Sequence, residues 1–152
     1  MADKPHTHAK TSFDARHPEA LAIYCSDGRF TDAVEALVHE LGHKRLDVLC
    51  MPGGPALLDL ESASFSALET MRTGASFLIR GHATKHVILV AHEGCGYYKE
   101  RYRFEKPEEI VRQQREDLRT AAKWLLSAHP DLKISIYFAK PEAGKVAFAS
   151  EH

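Results

Sequence analysis

The chain has no apolar run approaching the roughly 18 residues that a membrane span requires, and its opening "MADKPHTHAK" lacks the apolar core of a signal peptide. A membrane partner is therefore not expected, and the expected compartment is the cytoplasm. An excess of charge of one sign is also missing: 20 Lys and Arg stand against 21 Asp and Glu, for a formal net charge of -1. Such a balance offers no global field for nucleic acid or an anionic surface. Cysteine is scarce, three in 152 residues. That number excludes a full disulfide framework and points to free or metal-bound thiols. Internal repeats and low-complexity stretches are absent as well. The length fits one domain with a real core and leaves little room for a second.

What is present is a regular alternation. Residues 1–18 are polar, carry His6, His8 and His17 and show no periodicity, so they read as a loosely held arm whose histidines are solvated. Residues 19–152 read as one domain. Four short runs rich in branched residues, "LAIYC", "RLDVLC", "HVILVA" and "KISIYFA", are strand candidates. Between them lie three stretches of helical period. Val34, Leu37, Val38 and Leu41 mark the first, with Gly42 as its stop. Phe65, Leu68, Met71, Ala75, Leu78 and Ile79 mark the second, from the Ser62 region to Gly81. Pro107 opens the third, Glu108 and Glu109 sit at its positive end, and it ends near His129-Pro130 with its many charges on a solvated face. The pattern predicts an α/β fold: a mostly parallel sheet of four strands in the order 2-1-3-4, flanked by helices on both faces. "KVAFAS", after the turn at Glu142-Ala143-Gly144, is a candidate fifth, antiparallel edge strand.

The chemistry gathers at two strand ends. "CSDGR" closes the first strand and "HEGC" follows the third, and ligands of open parallel sheets bind outside the carboxyl ends of strands where strand order reverses. If those strands are neighbours, Cys25, His92 and Cys95 converge. Two thiolates and an imidazole suit zinc, and three protein ligands leave a fourth position for water or substrate. Taken singly, each segment reads as packing: a buried Cys25, a Cys95 at a helix start, His92 in a turn. Taken together with Asp27 and Arg29, they read as a metal site. Asp27 can either close the fourth position or accept a hydrogen bond from water there. Arg29 decides between these, because its planar fork can hold Asp27 off the metal.

Cys25-x-Asp27-x-Arg29 followed by His92-x-x-Cys95-Gly96 resembles the paired signature of the β-class carbonic anhydrases, and the likeness runs from about Leu21 to the chain end. The resemblance implies Zn2+ held by Cys25, His92 and Cys95, with Asp27 and Arg29 as the catalytic dyad beside it. It implies a lyase in which hydroxide formed at the metal attacks carbon dioxide to give bicarbonate. It also implies a homodimer or a multiple of dimers, whose interface would come from the edge strand "RLDVLC" and the helices near residues 31 to 42 and 61 to 80. In place of the Arg-Asn-Ala-Gly-Asn-like turn of that family stands Met51-Pro52-Gly53-Gly54-Pro55. Hydrolysis of carbonyl sulfide or carbon disulfide on the same scaffold, and a non-catalytic zinc-binding assembly or sensor domain, are therefore the alternatives.

Gly53, Gly54, Gly96 and Tyr97 are the residues expected to line the pocket, although Tyr97 and Tyr98 would more commonly pack in the core. Cys50 reads as a packed thiol, and His82 and His86, flanking the third strand, read as surface. The Cys95 to Arg101 spacing matches a phosphatase loop, but Tyr97, Tyr98, Lys99 and Glu100 are too bulky for an anion cradle of backbone amides.

Overall fold

The computed structural model describes residues 7–152. The expectation for His6 lies outside the described residues. Elements follow as β1 (Ala20–Cys25), α1 (Thr31–Glu40), β2 (Asp47–Met51), a 3-10 turn (Gly54–Leu58), α2 (Phe65–Gly81), β3 (His86–His92), α3 (Gly96–Arg101), α4 (Pro107–Ala128), β4 (Lys133–Glu142) and β5 (Lys145–Glu151). The sheet order is β2-β1-β3-β4-β5. The first three pairings are parallel and the last is antiparallel. This is the expected order with its fifth edge strand, closed by a tight turn in which Ala143 and Gly144 both take positive φ. Among the described residues no helix is long and apolar enough to cross a membrane.

Every residue of β1 and β3 is buried, because helices cover both faces of the sheet. On one face Leu21, Ile23, Val87 and Leu89 pack under α2 and α4. On the other, Ala22, Tyr24, Ile88 and Val90 pack under α1 through Val34, Leu37 and Val38. Strand side chains alternate between faces, and the continuous apolar runs of β1 and β3 supply both. Ser64 caps α2 by accepting the backbone N–H of Ala67, which fixes its start just after the expected Ser62 region. Residues of the amino-terminal segment touch the domain: His17 stacks on His82 at 3.8 Å, and Asp14 pairs with Arg45 at 3.4 Å.

Three expectations are corrected. His86 is not a surface histidine but is 3% exposed. Its Nδ1 lies 2.8 Å from Nε2 of His43 and its Nε2 lies 2.8 Å from Oγ of Ser135. Those partners satisfy the ring inside the sheet, and burial pushes its pKa down to about 4. His82 is half-buried, hydrogen-bonded to Asp47 at 2.7 Å. The charges of α4 are not all solvated, since Asp117 is fully buried. The 3-10 turn has no counterpart in the sequence reading, since five residues are too few to display a period, whereas α3 begins just after Cys95, as the reading of that residue at a helix start has it.

The 3-10 turn is the element that shapes the site. Gly53 and Gly54 both adopt positive φ, 88° and 49°. A Cβ on Gly54 would stand 2.5 Å from the Tyr24 carbonyl carbon and 2.6 Å from the Cys25 nitrogen. Only glycine lets the turn ride against the end of β1. Gly54→Ala should therefore destabilise the fold by about 2–5 kcal/mol, the left-handed penalty plus that of overpacking, read as a lower urea midpoint. An unchanged midpoint would show that the turn moves freely away from β1.

Candidate metal centre

β1 and β3 pair in register from Ala20 with His86 to Tyr24 with Val90. Their carboxyl ends therefore emerge side by side, Cys25 as the last residue of β1 and His92 as the last of β3. A short loop then returns Cys95 to the same place as the residue preceding α3. One donor atom from each of Cys25, His92 and Cys95 lies within 4.8 Å of the others, and all three residues are buried. The structure thus brings together the three residues that the sequence places 70 positions apart at the extremes.

The geometry and chemistry fit a tetrahedral ion. The two sulfurs are 3.9 Å apart, far beyond a disulfide bond and close to the roughly 3.8 Å that two bonds of about 2.3 Å to one tetrahedral zinc imply. Nδ1–H of His92 donates to the Glu93 carbonyl at 2.9 Å. The proton is thereby held on Nδ1, and the lone pair on Nε2 faces the sulfurs. That Nε2 is buried and has no hydrogen-bond partner among the described residues, the condition of an atom built to bind something else. Phe30 covers the imidazole at 4.2 Å. As a metal-free pair the thiols split one proton: the hydrogen bond from Cys95 stabilises Cys25 as thiolate and pulls its pKa down, while that same bond and burial push Cys95 up.

Backbone N–H groups surround the sulfurs. Those of Gly53 and Asp27 favour the Cys25 thiolate, and those of Tyr97 and Tyr98, in the first turn of α3, favour the Cys95 thiolate. Such donors spread thiolate charge at no side-chain cost. They also give Gly53 its place: a Cβ there would stand 2.7 Å from the Tyr97 ring, so turn and ring close over the site together. Gly96 is exposed and open, with nothing within 4 Å of an added Cβ. Tyr98 is fully buried beside Cys25, Ala56 and Cys95, and Tyr97 is half-buried against that cluster. Cys50 is a half-buried free thiol outside the ligand group.

Asp27 stands beside the three candidate ligands rather than among them. Its Oδ2 is 4.0 Å from Nε2 of His92. Arg29 holds the carboxylate through Nε at 3.0 and 3.1 Å, through Nη2 at 2.6 Å and through its own N–H at 3.1 Å. These hydrogen bonds bring the Asp27 pKa down to about 2. Arg101 instead donates to the Glu61 carbonyl, so no Cys-Arg anion cradle forms.

Two polar residues of α4 complete the surroundings and escaped the sequence reading. Gln114, 1% exposed, donates Nε2–H to the His92 carbonyl at 2.8 Å. Asp117 accepts from Ser62 and Tyr98 at 2.5 Å each and from Gln113 at 2.8 Å. It thus ties α3 to α4. A signal existed: Val111, Gln114, Leu118, Ala121 and Leu125 recur at steps of three and four, which puts Gln114 inside an apolar stripe with Asp117 beside it. Burial, with the neighbouring Asp59 acting in the same direction, raises the Asp117 pKa from 3.8 to about 6. Between those values the folded chain binds more protons than the unfolded one, so this group lowers stability as pH rises from about 3.8 to about 6 and has no further effect above. Asp117→Asn should lack that limb in urea titrations across this range. Parallel profiles for both proteins would assign it elsewhere.

No family model and no curated protein matches the sequence. Solved structures do match. One of two tetrameric β-carbonic anhydrases from Sordaria macrospora shares 15% identity over 91% of this chain and 84% of its own, with a TM-score of 0.57. A carbonic anhydrase from Streptococcus mutans shares 16% over 93% and 87%, at 0.58. A β-carbonic anhydrase from Trichomonas vaginalis shares 14% over 95% and 88%, at 0.55. At such identities a match speaks to architecture alone, and the architecture of this chain, with its five strands, their order and the antiparallel edge, is the β-carbonic anhydrase fold.

Proposed function

We propose that the chain is a zinc-dependent lyase of the carbonic anhydrase kind, converting carbon dioxide and water to bicarbonate and a proton. The observation that carries this reading is the convergence of Cys25, His92 and Cys95 beside an Asp27 whose oxygens are held by Arg29. When bound, zinc supplies the Lewis acidity that brings proton loss from water into the neutral range. Two thiolates and one neutral imidazole hold the ion and cancel its charge, which makes a dication tolerable at a buried position. Arg29 keeps Asp27 ionised and oriented. Oδ2 of Asp27 is then placed to take the hydrogen bond of the attacking water and to fix which lone pair of that water faces carbon dioxide. Phe30 and Tyr97, packed at the edges of the ligand cluster, exclude bulk solvent from one side.

The turn Met51-Pro52-Gly53-Gly54-Pro55 supports a second substrate class. It offers backbone N–H and apolar surface but no polar side chain, a lining suited to the softer carbonyl sulfide or carbon disulfide as well. One experiment addresses both readings: X-ray absorption on the zinc-loaded chain, with stopped-flow carbon dioxide hydration and carbonyl sulfide turnover on the same sample. The expected first shell is two sulfurs and one nitrogen per chain. Arg29→Ala should lose turnover by at least about 100-fold with zinc retained, as expected when a hydrogen-bond acceptor beside the reacting water loses its positioning. A shell without sulfur would sink the metal assignment. Intact metal with no turnover of either gas would make the domain a binding or assembly module.

The proposed assembly is a homodimer or a multiple of dimers in the cytoplasm. Support comes from β2, whose outer edge is unpaired among the described residues, with Val48 49% and Met51 40% exposed, and from Phe65 and Phe77, exposed on the neighbouring α2. Edges of that kind invite pairing unless covered. Light scattering at low micromolar concentration should give at least twice the 17.0 kDa chain mass. An active monomer would refute it.

A further inference from the structure

The peptide that joins His92 to Glu93 is anchored at both of its polar ends. Its N–H, that of Glu93, donates to the Ala139 carbonyl of β4 at 2.8 Å, and its carbonyl, that of His92, accepts from Nε2 of Gln114 on α4 at 2.8 Å. The next carbonyl along the chain, that of Glu93, is the one that accepts Nδ1–H of His92 at 2.9 Å. Gly94 then turns the chain with φ 73°, and Cys95 follows. One peptide plane therefore bears on two of the three candidate ligands. It sets where the Glu93 carbonyl points, and so which ring nitrogen of His92 keeps its proton, and it sets the direction in which the loop leaves for Cys95.

The two anchors differ in kind. The bond to Ala139 continues the parallel ladder in which His92 lies opposite Ala139, and it needs no particular side chain. The bond to Gln114 depends on one amide. Gln114 is 1% exposed, on a helix whose Val111, Leu118 and Leu125 belong to the apolar core. Its Oε1 is buried without a hydrogen-bond partner among the described residues. Methionine would fill nearly the same volume and leave no buried acceptor over. Core packing thus does not account for a glutamine here, whereas the donor that it presents to the His92 carbonyl does.

We propose that Gln114 is a positioning residue for the metal centre: its amide holds the His92–Glu93 peptide in the orientation that turns Nε2 of His92 and the sulfur of Cys95 toward one another. The positioning role rests on the metal-centre reading above. The clamp on the loop does not.

The clamp is therefore read in the zinc-free chain, and its consequence in the loaded one. Gln114→Met removes the donor at nearly constant volume, and Gln114→Asn keeps a donor that is one methylene too short to reach. In the zinc-free chain each should raise amide hydrogen exchange at Glu93 by about tenfold or more, while the amides of Val87 to Val90 in the same strand keep their protection. In the loaded chain each should weaken zinc by about 10- to 100-fold in chelator competition, the usual loss when a group that orients a ligand is removed. Cobalt in place of zinc should show shifted absorption bands. Leu125→Val is the comparison, because it loosens the far end of the same helix at a fully buried position and leaves the amide in place. It should lower the urea midpoint and keep the parent's Glu93 exchange, zinc affinity and cobalt spectrum. Unchanged exchange at Glu93 in both Gln114 variants would overturn the clamp. Faster exchange with zinc affinity and cobalt spectrum unchanged would overturn the positioning role, as would an equal loss of zinc affinity in Leu125→Val. A parent chain that takes up no zinc would overturn the metal centre and the positioning role together, with exchange at Glu93 still deciding the clamp.

Discussion

The parallel pairing of β1 with β3 is the constraint on which the rest depends. Both strands are buried along their whole length, so each must offer apolar side chains to two helical layers and neither can slip by one residue without turning both faces at once. Their fixed register makes Cys25 and His92 neighbours at the carboxyl edge. From β1 the chain crosses outward to β2 on one side, and from β3 it crosses to β4 on the other. A crevice at that point is a topological consequence of the strand order, and the site occupies it.

Polar chemistry inside so apolar a setting must be satisfied locally, and the structure does so with backbone more than with side chains. The backbone of the turn at Gly53 and Gly54 lies against the end of β1 and favours one thiolate, and the first turn of α3 favours the other. Behind them α4 contributes side chains where backbone cannot reach. Gln114 holds the His92 carbonyl, and Asp117 gathers the hydroxyls of Ser62 and Tyr98. A helix that packs against the sheet is thus also the rear support of the loop carrying two of the three candidate ligands. Leu118 and Leu125 bury that helix, while Gln114 and Asp117 set where its amino-terminal half must lie.

Much of this was legible because burial imprints a period on sequence. Apolar runs with turn residues between them announced the four strands, and Pro107 and Gly42 marked helix ends by their own backbone preferences. His86 and Asp117 were misread for one shared reason. Each is a polar residue whose burial depends on partners far away in sequence, His43 and Ser135 for one, Ser62 and Tyr98 for the other. A sequence shows the cost of burying such a group and hides what offsets it.

By itself, then, the sequence determined the order of strands and helices and which metal-seeking residues stand at strand ends, since both follow from local periodicity and residue chemistry. Tertiary structure alone decided that Cys25 and Cys95 lie 3.9 Å apart. It also decided that Nε2 rather than Nδ1 of His92 faces them, and that an amide and a carboxylate of α4 stand behind the loop. Those facts depend on distances between groups tens of residues apart, and such distances exist only once strand order and register have been set by packing both faces of the sheet.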